Sequence, residues 1–245
     1  MTYPGGKGSP GVVQQIINQM PPHRVYIEPF LGSGVVFQTK RPAEINVGID
    51  KDQNTINQFW DKNNSIPGCN VICGDAISIL RSTIWRGDEF VYCDPPYLFE
   101  TRAGKRPLYT CEFGDAGQHK ELLSLLKSLP CMVAISGYWS SLYNAILPDW
   151  RTITYTTRTR GGRNVQEWLW MNYPEPVELH DYRFLGDNFR ERERVSRIRK
   201  RWIGKMNRLQ PLERYALFAA FDEYRSFIAE NGESSSRLPA SQKTA

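Results

Sequence analysis

The chain has 245 residues, 40% of them hydrophobic, and 31 Lys and Arg against 26 Asp and Glu give a formal charge of +5. That length fits one medium domain with room for an appendage. No stretch approaches the ~20 apolar residues that cross a bilayer, and the five cysteines show no paired spacing for a disulfide framework or a metal site. Cys69 and Cys73 stand four apart with no second pair or nearby His, so buried free thiols in a reducing cytosol are expected. The first residues, Met1 to Gly6, carry no apolar signal region. There is no internal repeat.

In chain order, Tyr3-Pro4-Gly5-Gly6-Lys7-Gly8 comes first. Glycines around a lysine let backbone amides approach an anion while Lys7 adds a point charge. The spacing is not that of a Walker A loop, and a flexible leader reads the same way. Ser9 is expected to cap a helix with Pro10 at its first position, running towards Met20. Val25-Tyr26-Ile27-Glu28 reads as a strand, and Pro29-Phe30-Leu31-Gly32-Ser33-Gly34 as its turn into a helix from Val35. A Gly-x-Gly turn lets a cofactor lie against backbone. The third glycine of a dinucleotide fingerprint is missing, which disfavours a nicotinamide or flavin dinucleotide. An ordinary tight turn is the plain alternative.

Asn46 to Asp50 is the second strand, with Asp50 at the end where an acid holds ribose hydroxyls in Rossmann-like sheets. Asp52 is read as the start of the next helix, to Trp60. Asn70 to Asp75 is the third strand; Asp75 either accepts from an adenine amine or caps the helix beginning at Ala76. Phe90-Val91-Tyr92-Cys93 fits a buried parallel strand, and Asp94-Pro95-Pro96-Tyr97 ends it. Neither proline can donate to a ladder, so the backbone must leave the sheet at Asp94, where open α/β sheets bind ligands. The result is a stiff platform with one carboxylate, one carbonyl and one aromatic face. It suits a flat ring with an exocyclic amine, which would donate to Asp94 and the Pro95 carbonyl while the ring stacks on Tyr97. A Pro-rich turn is the plain reading of these four residues alone. Four strands ending in turn at Glu28, Asp50, Asp75 and Asp94 would put four acids on one edge of a parallel array.

The segment from Leu98 to Gly114 reads as a long loop mixing Arg102, Lys105 and Arg106 with Phe99, Tyr109 and Phe113. Phosphate-binding charge and stacking rings favour a mobile lid over a target base, with a surface loop as the alternative. A helix over Gly117–Leu129, a strand over Cys131–Ser136 and a helix over Trp139–Ile146 follow. Arg151–Thr157 and Glu167–Tyr173 alternate as a last strand pair, joined by a basic link with Arg158, Arg160 and Arg163 that could meet a nucleic-acid backbone. Between Asp187 and Arg208 nine basic and three acidic residues give +6 of the total +5, leaving −1 for the rest. That run is read as a helix carrying a phosphate stripe, with Arg197, Lys200 and Arg201 on it, or else as a salt-laced solvated helix. Pro211 starts a second helix, and the two are expected to form a helical hairpin docked on the sheet domain. The Ser-rich residues from Glu233 onward read as disordered.

Tyr3-Pro-Gly-Gly-Lys7, Glu28-Pro-Phe-Leu-Gly-Ser-Gly34, Asp50, Gly74-Asp75 and Asp94-Pro-Pro-Tyr97, in that order, resemble the Dam-like (D12) DNA adenine-N6 methyltransferases, over residues 3 to about 177. The resemblance implies an α/β fold: a Rossmann-like class I methyltransferase sheet with helices on both faces, here followed by the C-terminal helices. It implies S-adenosyl-L-methionine as methyl donor, with Tyr3, Lys7, Phe30 and the turn to Gly34 around its methionine moiety, Asp50 at its ribose and Asp75 at its adenine. The cofactor set so read is Tyr3, Gly6, Lys7, Glu28, Pro29, Phe30, Gly32, Ser33, Gly34, Asp50, Lys51, Gly74, Asp75 and Asp94. The catalytic set is Asp94, Pro95, Pro96 and Tyr97, holding an adenine flipped out of double-stranded DNA. No metal and no membrane are implied; a cytoplasmic protein of a bacterial or phage genome, monomeric or weakly dimeric, is expected.

The domain reading is a methyltransferase domain over 1–177 with the 98–114 loop at its target side, a basic helical extension over 178–232 and a tail over 233–245. One departure stands out: family members carry a recognition insert between the second strand and the Asp94 motif, and here there is no room for one. Relaxed or short sequence specificity is therefore expected. Adenine in RNA, and a catalytically silent nucleic-acid-binding module on the same fold, are the alternatives.

Overall fold

The structure, a computed structural model, describes residues 7–9, 11–61, 66–102, 110–158 and 162–231. Seven strands form one sheet: β1 (Val25–Glu28), β2 (Ile45–Asp50), β3 (Cys69–Cys73), β4 (Glu89–Cys93), β5 (Met132–Gly137), β6 (Arg151–Arg158) and β7 (Asn164–Met171). Their order is β3-β2-β1-β4-β5-β7-β6. β1 to β5 pair in parallel, whereas β7 runs antiparallel to both β5 and β6. This is the expected Rossmann-like sheet. The order reverses between β1 and β4, and a crevice opens there because the connections leave to opposite sides.

Alternation explains the two faces. Tyr26, Phe90 and Tyr92 point into one core with α1 (Val12–Ile17), α2 (Val35–Thr39) and Phe59 of α3 (Gln53–Trp60). Ile27, Val91, Cys93, Val133 and Ile135 point into the other with α4 (Ala76–Ser82), α5 (Ala116–Ser128) and α6 (Ser141–Ile146). Every residue of β4 is buried, as a central parallel strand covered on both faces must be.

Helix starts follow side-chain caps. Asp52, Asp75, Asp115 and Ser140 each accept from a backbone N–H of the helix that follows. The first helix departs from expectation: it begins at Val12 behind Gly11, at φ 89°, with no side-chain cap. Ser9 contributes its carbonyl to Val12 N–H in place of its hydroxyl. Gly11 can adopt the left-handed conformation without a Cβ penalty, so the chain turns there.

The chain divides into two compact units, Met1–Arg192 and Glu193–Ala245. In the first, the segment after β7 returns along the sheet: His180 N donates to Met20 O, Arg183 to Thr39 O, and Asn18 to Phe184 O. The basic run forms α7 (Phe189–Met206), and the helix expected from Pro211 is α8 (Pro211–Asn231). Arg214 closes the turn between them by donating to Met206 O and Leu209 O. The 233–245 tail lies outside the described residues.

Candidate active site

The two prolines act as their chemistry dictates: β4 stops at Cys93, and Asp94, Pro95, Pro96 and Tyr97 leave the sheet into a cleft beside β1. The four strand-end acids meet there, with Glu28, Asp50, Asp75 and Asp94 all lining it. Lys7, Pro29, Phe30, Gly32, Ser33, Lys51 and Gly74 line it as well. Gly34 does not line it but shapes it. A Cβ at Gly34 would stand 2.7 Å from the Phe59 ring, and its φ of 62° is left-handed, so the turn requires glycine. Tyr3 and Gly6 lie outside the described residues.

Asp94 is gripped on one oxygen. Its Oδ1 accepts from Lys7 Nζ at 2.6 Å, and Tyr97 Oη stands 3.3 Å from the same oxygen. Among the described residues no donor reaches Oδ2. Burial pushes the Asp94 carboxyl above its ordinary range, Lys7 pulls it back, and Glu167 pushes it up again. Burial opposes the charge on Lys7, yet Asp94 and Glu167 together hold its pKa above the ordinary lysine value. Lys7 therefore stays an ammonium in a site where it is only 4% exposed.

Tyr97 is fixed at both ends. Its hydroxyl accepts from Lys7 at 2.7 Å and donates to Glu167 Oε2 at 2.8 Å. Its carbonyl accepts from Arg102 Nε at 2.6 Å. Tyr138 meets its ring edge-on, with centroids 4.7 Å apart. The Pro96 carbonyl accepts from His119 Nε2 at 3.1 Å, and Nδ1 of the same ring is 2.9 Å from Tyr143 Oη. A carbonyl can only accept, so Nε2 carries the proton and Nδ1 accepts from the tyrosine. Burial lowers the His119 pKa to about 4, which keeps the ring neutral at neutral pH.

Asp50 is tied into the glycine turn. Its Oδ2 accepts from Gly32 N at 2.8 Å and its Oδ1 from Asp52 N at 2.9 Å. Each oxygen keeps a further lone pair that could take a hydroxyl. Asp75 does cap its helix, accepting from Ser78 N and Oγ at 3.0 Å. Lys51 Nζ stands 3.5 Å from the other Asp75 oxygen. Glu28 is buried under the hydroxyl of Tyr26, which donates at 2.7 Å. Burial raises its pKa to about 8 against the pull of that hydrogen bond.

The 98–114 segment is anchored at its base. Phe99 N donates to Gly114 O, and Arg102 pairs with Glu112 at 2.9 Å. Thr110 to Phe113 form a wall of the cleft, where Phe113 meets Phe30 with centroids 5.0 Å apart. Arg102 is corrected by this geometry. It was expected on a phosphate, but its side chain is 5% exposed and holds Tyr97 and Glu112. A loop that must leave a proline-stiffened platform needs a donor for the Tyr97 carbonyl, and Arg102 is the residue within reach. Lys105, Arg106 and Arg160 lie outside the described residues. Arg158 and Arg163 are exposed on either side of the β6–β7 turn, and Arg197, Lys200 and Arg201 are exposed along one face of α7.

Glu167 and His119 were missed in the sequence, and each left a signal. Glu167 is an acid inside a strand of Trp, Leu and Met, and it is 6% exposed. His119 precedes Leu122, Leu123 and Leu126 at helical spacing, which places it on the apolar face of α5. Among the described residues no cluster of three or more His, Cys, Asp or Glu could hold a metal, and no helix is long and apolar enough to cross a membrane.

No family model and no curated protein matches the chain. Solved structures do. TrmN from Thermus thermophilus aligns over 65% of this chain at 16% identity and a TM-score of 0.46, and this chain spans only 46% of TrmN. The N-methyltransferase NodS from Bradyrhizobium japonicum WM9 aligns over 66% of this chain and 93% of its own, at 9% identity and a TM-score of 0.48. A SAM dependent methyltransferase from Agrobacterium tumefaciens aligns over 65% and 58%, at 13% identity and a TM-score of 0.42.

Proposed function

We propose that this chain transfers a methyl group from S-adenosylmethionine to the N6 amine of adenine in double-stranded DNA, with short or relaxed sequence preference. The observation that carries the reading is the Asp94–Tyr97 platform, with one Asp94 oxygen held by Lys7 and the other without a donor among the described residues. The cleft residues fit the methyl donor by their chemistry. Asp50 and Asp75 offer acceptors for hydroxyls and an amine, Phe30 offers an aromatic edge, and the Gly32–Gly34 turn brings backbone to the surface. Lys7, Asp94 and Glu167 together carry one excess negative charge when ionised, which complements a sulfonium. Bound, the donor supplies an electrophilic methyl on that sulfonium.

The protein's own part is to position and to polarise. The N6 lone pair of adenine is delocalised into the ring and is a poor nucleophile. Asp94 and the Pro95 carbonyl accept the two N6–H bonds, which favours a pyramidal nitrogen with its lone pair directed at the methyl, and the proton that the methylated nitrogen sheds passes to the Asp94 carboxylate. Tyr97 supplies the stacking face. His119 holds the Pro96 carbonyl and Arg102 the Tyr97 carbonyl, so the platform cannot drift. On this reading residues 1–177 are the transfer domain and 178–232 a basic extension that meets phosphates. The reading places the protein in the cytoplasm, encoded by a bacterium or a phage.

The test is incubation with methyl-labelled cofactor and duplex DNA, RNA or no nucleic acid, followed by digestion to nucleosides. Label in N6-methyldeoxyadenosine is expected. Label in the RNA arm alone would move the substrate to RNA, and no label in any adenine would overturn the reading.

A further inference from the structure

Lys7 faces two carboxylates at once. Its Nζ is 2.6 Å from Asp94 Oδ1 and 3.3 Å from Glu167 Oε2, and the Lys7 and Glu167 side chains are 3% and 8% exposed. One ammonium between two carboxylates leaves a buried excess of negative charge. A buried charge that is not fully paired is costly, so its retention calls for a use. Glu167 is not among the residues that line the cleft. It is nonetheless firmly held: Oε1 accepts from Thr157 Oγ1 at 2.9 Å, while Oε2 accepts from Tyr97 Oη at 2.8 Å. From β7 it thus reaches both the ring that stacks and the lysine that grips Asp94.

We propose that Glu167 is a positioning residue for the transfer: it accepts the Tyr97 hydroxyl hydrogen bond and shares Lys7, so that the Tyr97 ring is oriented and Asp94, less tightly committed to the lysine, is a stronger acceptor for the target amine. This rests on the reading of Asp94 as the amine acceptor. A lysine paired with Asp94 alone would compete with the amine for that carboxylate. A second anion beside the ammonium weakens the competition without removing the lysine. Tyr97 gains in the same arrangement, because its hydroxyl has both a donor and an acceptor and the ring cannot rotate freely.

Around Asp94 stand Lys7 and Tyr97 at close range and Glu167 behind them, with Tyr26 and Glu28 from β1, Tyr92 and Cys93 from β4, Tyr138 from the loop after β5, Tyr143 from α6 and Tyr155 from β6. Of the charged side chains nearest Asp94, Glu167 raises its pKa and Lys7 lowers it. Removing the Glu167 charge should therefore lower the pKa of Asp94 and carry the acid limb of the rate to lower pH. A residue that served only to pack the sheet would not produce that movement.

The test uses the full chain with Glu167→Gln and Glu167→Asp. Three quantities are measured: single-turnover methyl transfer to duplex DNA across pH, cofactor affinity by calorimetry, and the titration of the Asp94 carboxyl by carbon-13 NMR. Glu167→Gln is expected to slow single turnover roughly tenfold to a hundredfold, the worth of a charged hydrogen bond. Cofactor affinity should change much less, and both the acid limb and the Asp94 titration should move to lower pH. Glu167→Asp keeps the charge and loses the reach to Tyr97, so transfer should slow while Asp94 titrates as in the wild type. A wild-type single-turnover rate in Glu167→Gln overturns the proposal, as does an Asp94 titration that stays in place or rises. Should Glu167→Gln fail to fold, Glu167→Asp decides, and a wild-type rate there overturns it. The carboxyl titration needs no nucleic acid. If the wild type labels no adenine, the functional reading fails, while the titration still decides whether Glu167 sets the charge state of Asp94.

Discussion

Glu28 closes β1 with a carboxyl that burial has pushed to about 8. The folded state therefore holds its proton over a range where the unfolded chain has released it. The stability this contributes is full below the ordinary carboxylate range and is lost as pH rises towards 8. Glu28→Gln should remove that loss, so the stability difference between variant and wild type should grow in the variant's favour from acid to mild base. The slope is at most about 1.4 kcal/mol per pH unit. Denaturant titrations at a series of pH values measure it, and a pH-independent difference would show that Glu28 ionises normally in the fold. Asp94→Ala should abolish transfer while changing cofactor affinity by about a few-fold only, since the acid acts chiefly on the amine. Asp50→Ala should do the reverse, weakening cofactor binding first. Calorimetry and single turnover on the same samples separate the two.

At the scale of elements, the platform is an exit from β4 that three neighbours hold. α5 reaches it through His119, the 98–114 segment through Arg102, and β7 through Glu167. His119→Ala leaves the Pro96 carbonyl and the Tyr143 hydroxyl without their partner, a loss of about 1–3 kcal/mol. It should lower the rate of transfer more than cofactor affinity, and the loss should be visible in a melting curve. The glycine turn is the second element with a sharp requirement. Gly34→Ala puts a Cβ 2.7 Å from the Phe59 ring on a left-handed backbone. A loss of about 1–3 kcal/mol is expected, read from the denaturant midpoint, together with weaker cofactor binding. Unchanged stability would mean that Phe59 and α3 move aside without cost.

For the whole molecule the question is where nucleic acid would be met. Among the described residues, α3, β3 and α4 are the elements between β2 and β4, and no separate recognition domain is inserted among them. The formal charge is concentrated between Asp187 and Arg208, with the rest of the chain near neutral. Arginine and lysine bind phosphates and carry little sequence information. Duplex binding should therefore fall steeply with salt, by a log–log slope of about −0.9 per phosphate neutralised. Replacing Arg197, Lys200 and Arg201 together by Ala should flatten that slope while single-turnover chemistry at saturating DNA is retained. An unchanged slope would take α7 out of the interface. Mapping modified adenines in DNA from cells expressing the protein should show a short, degenerate context.

The strands, their acidic ends, the glycine turn and the proline exit were all legible in the sequence. Each depends on residues within a few positions of one another: alternation sets a strand, a missing Cβ permits a turn, and a missing N–H ends a ladder. The parallel order then brings Glu28, Asp50, Asp75 and Asp94 to one cleft with no further information. What surrounds Asp94 was decided by tertiary structure. Lys7 lies 87 residues from it in sequence, and Glu167 lies 70 from Tyr97. No periodicity spans such distances; Glu167 reaches the platform because β4, β5 and the antiparallel β7 stand side by side, and Lys7 arrives from the segment ahead of α1. For the same reason Arg102 reads in sequence as an exposed charge near rings. Only the folded loop shows that a platform stiffened by two prolines leaves its last carbonyl in need of a donor, and that Arg102 is the donor that reaches it.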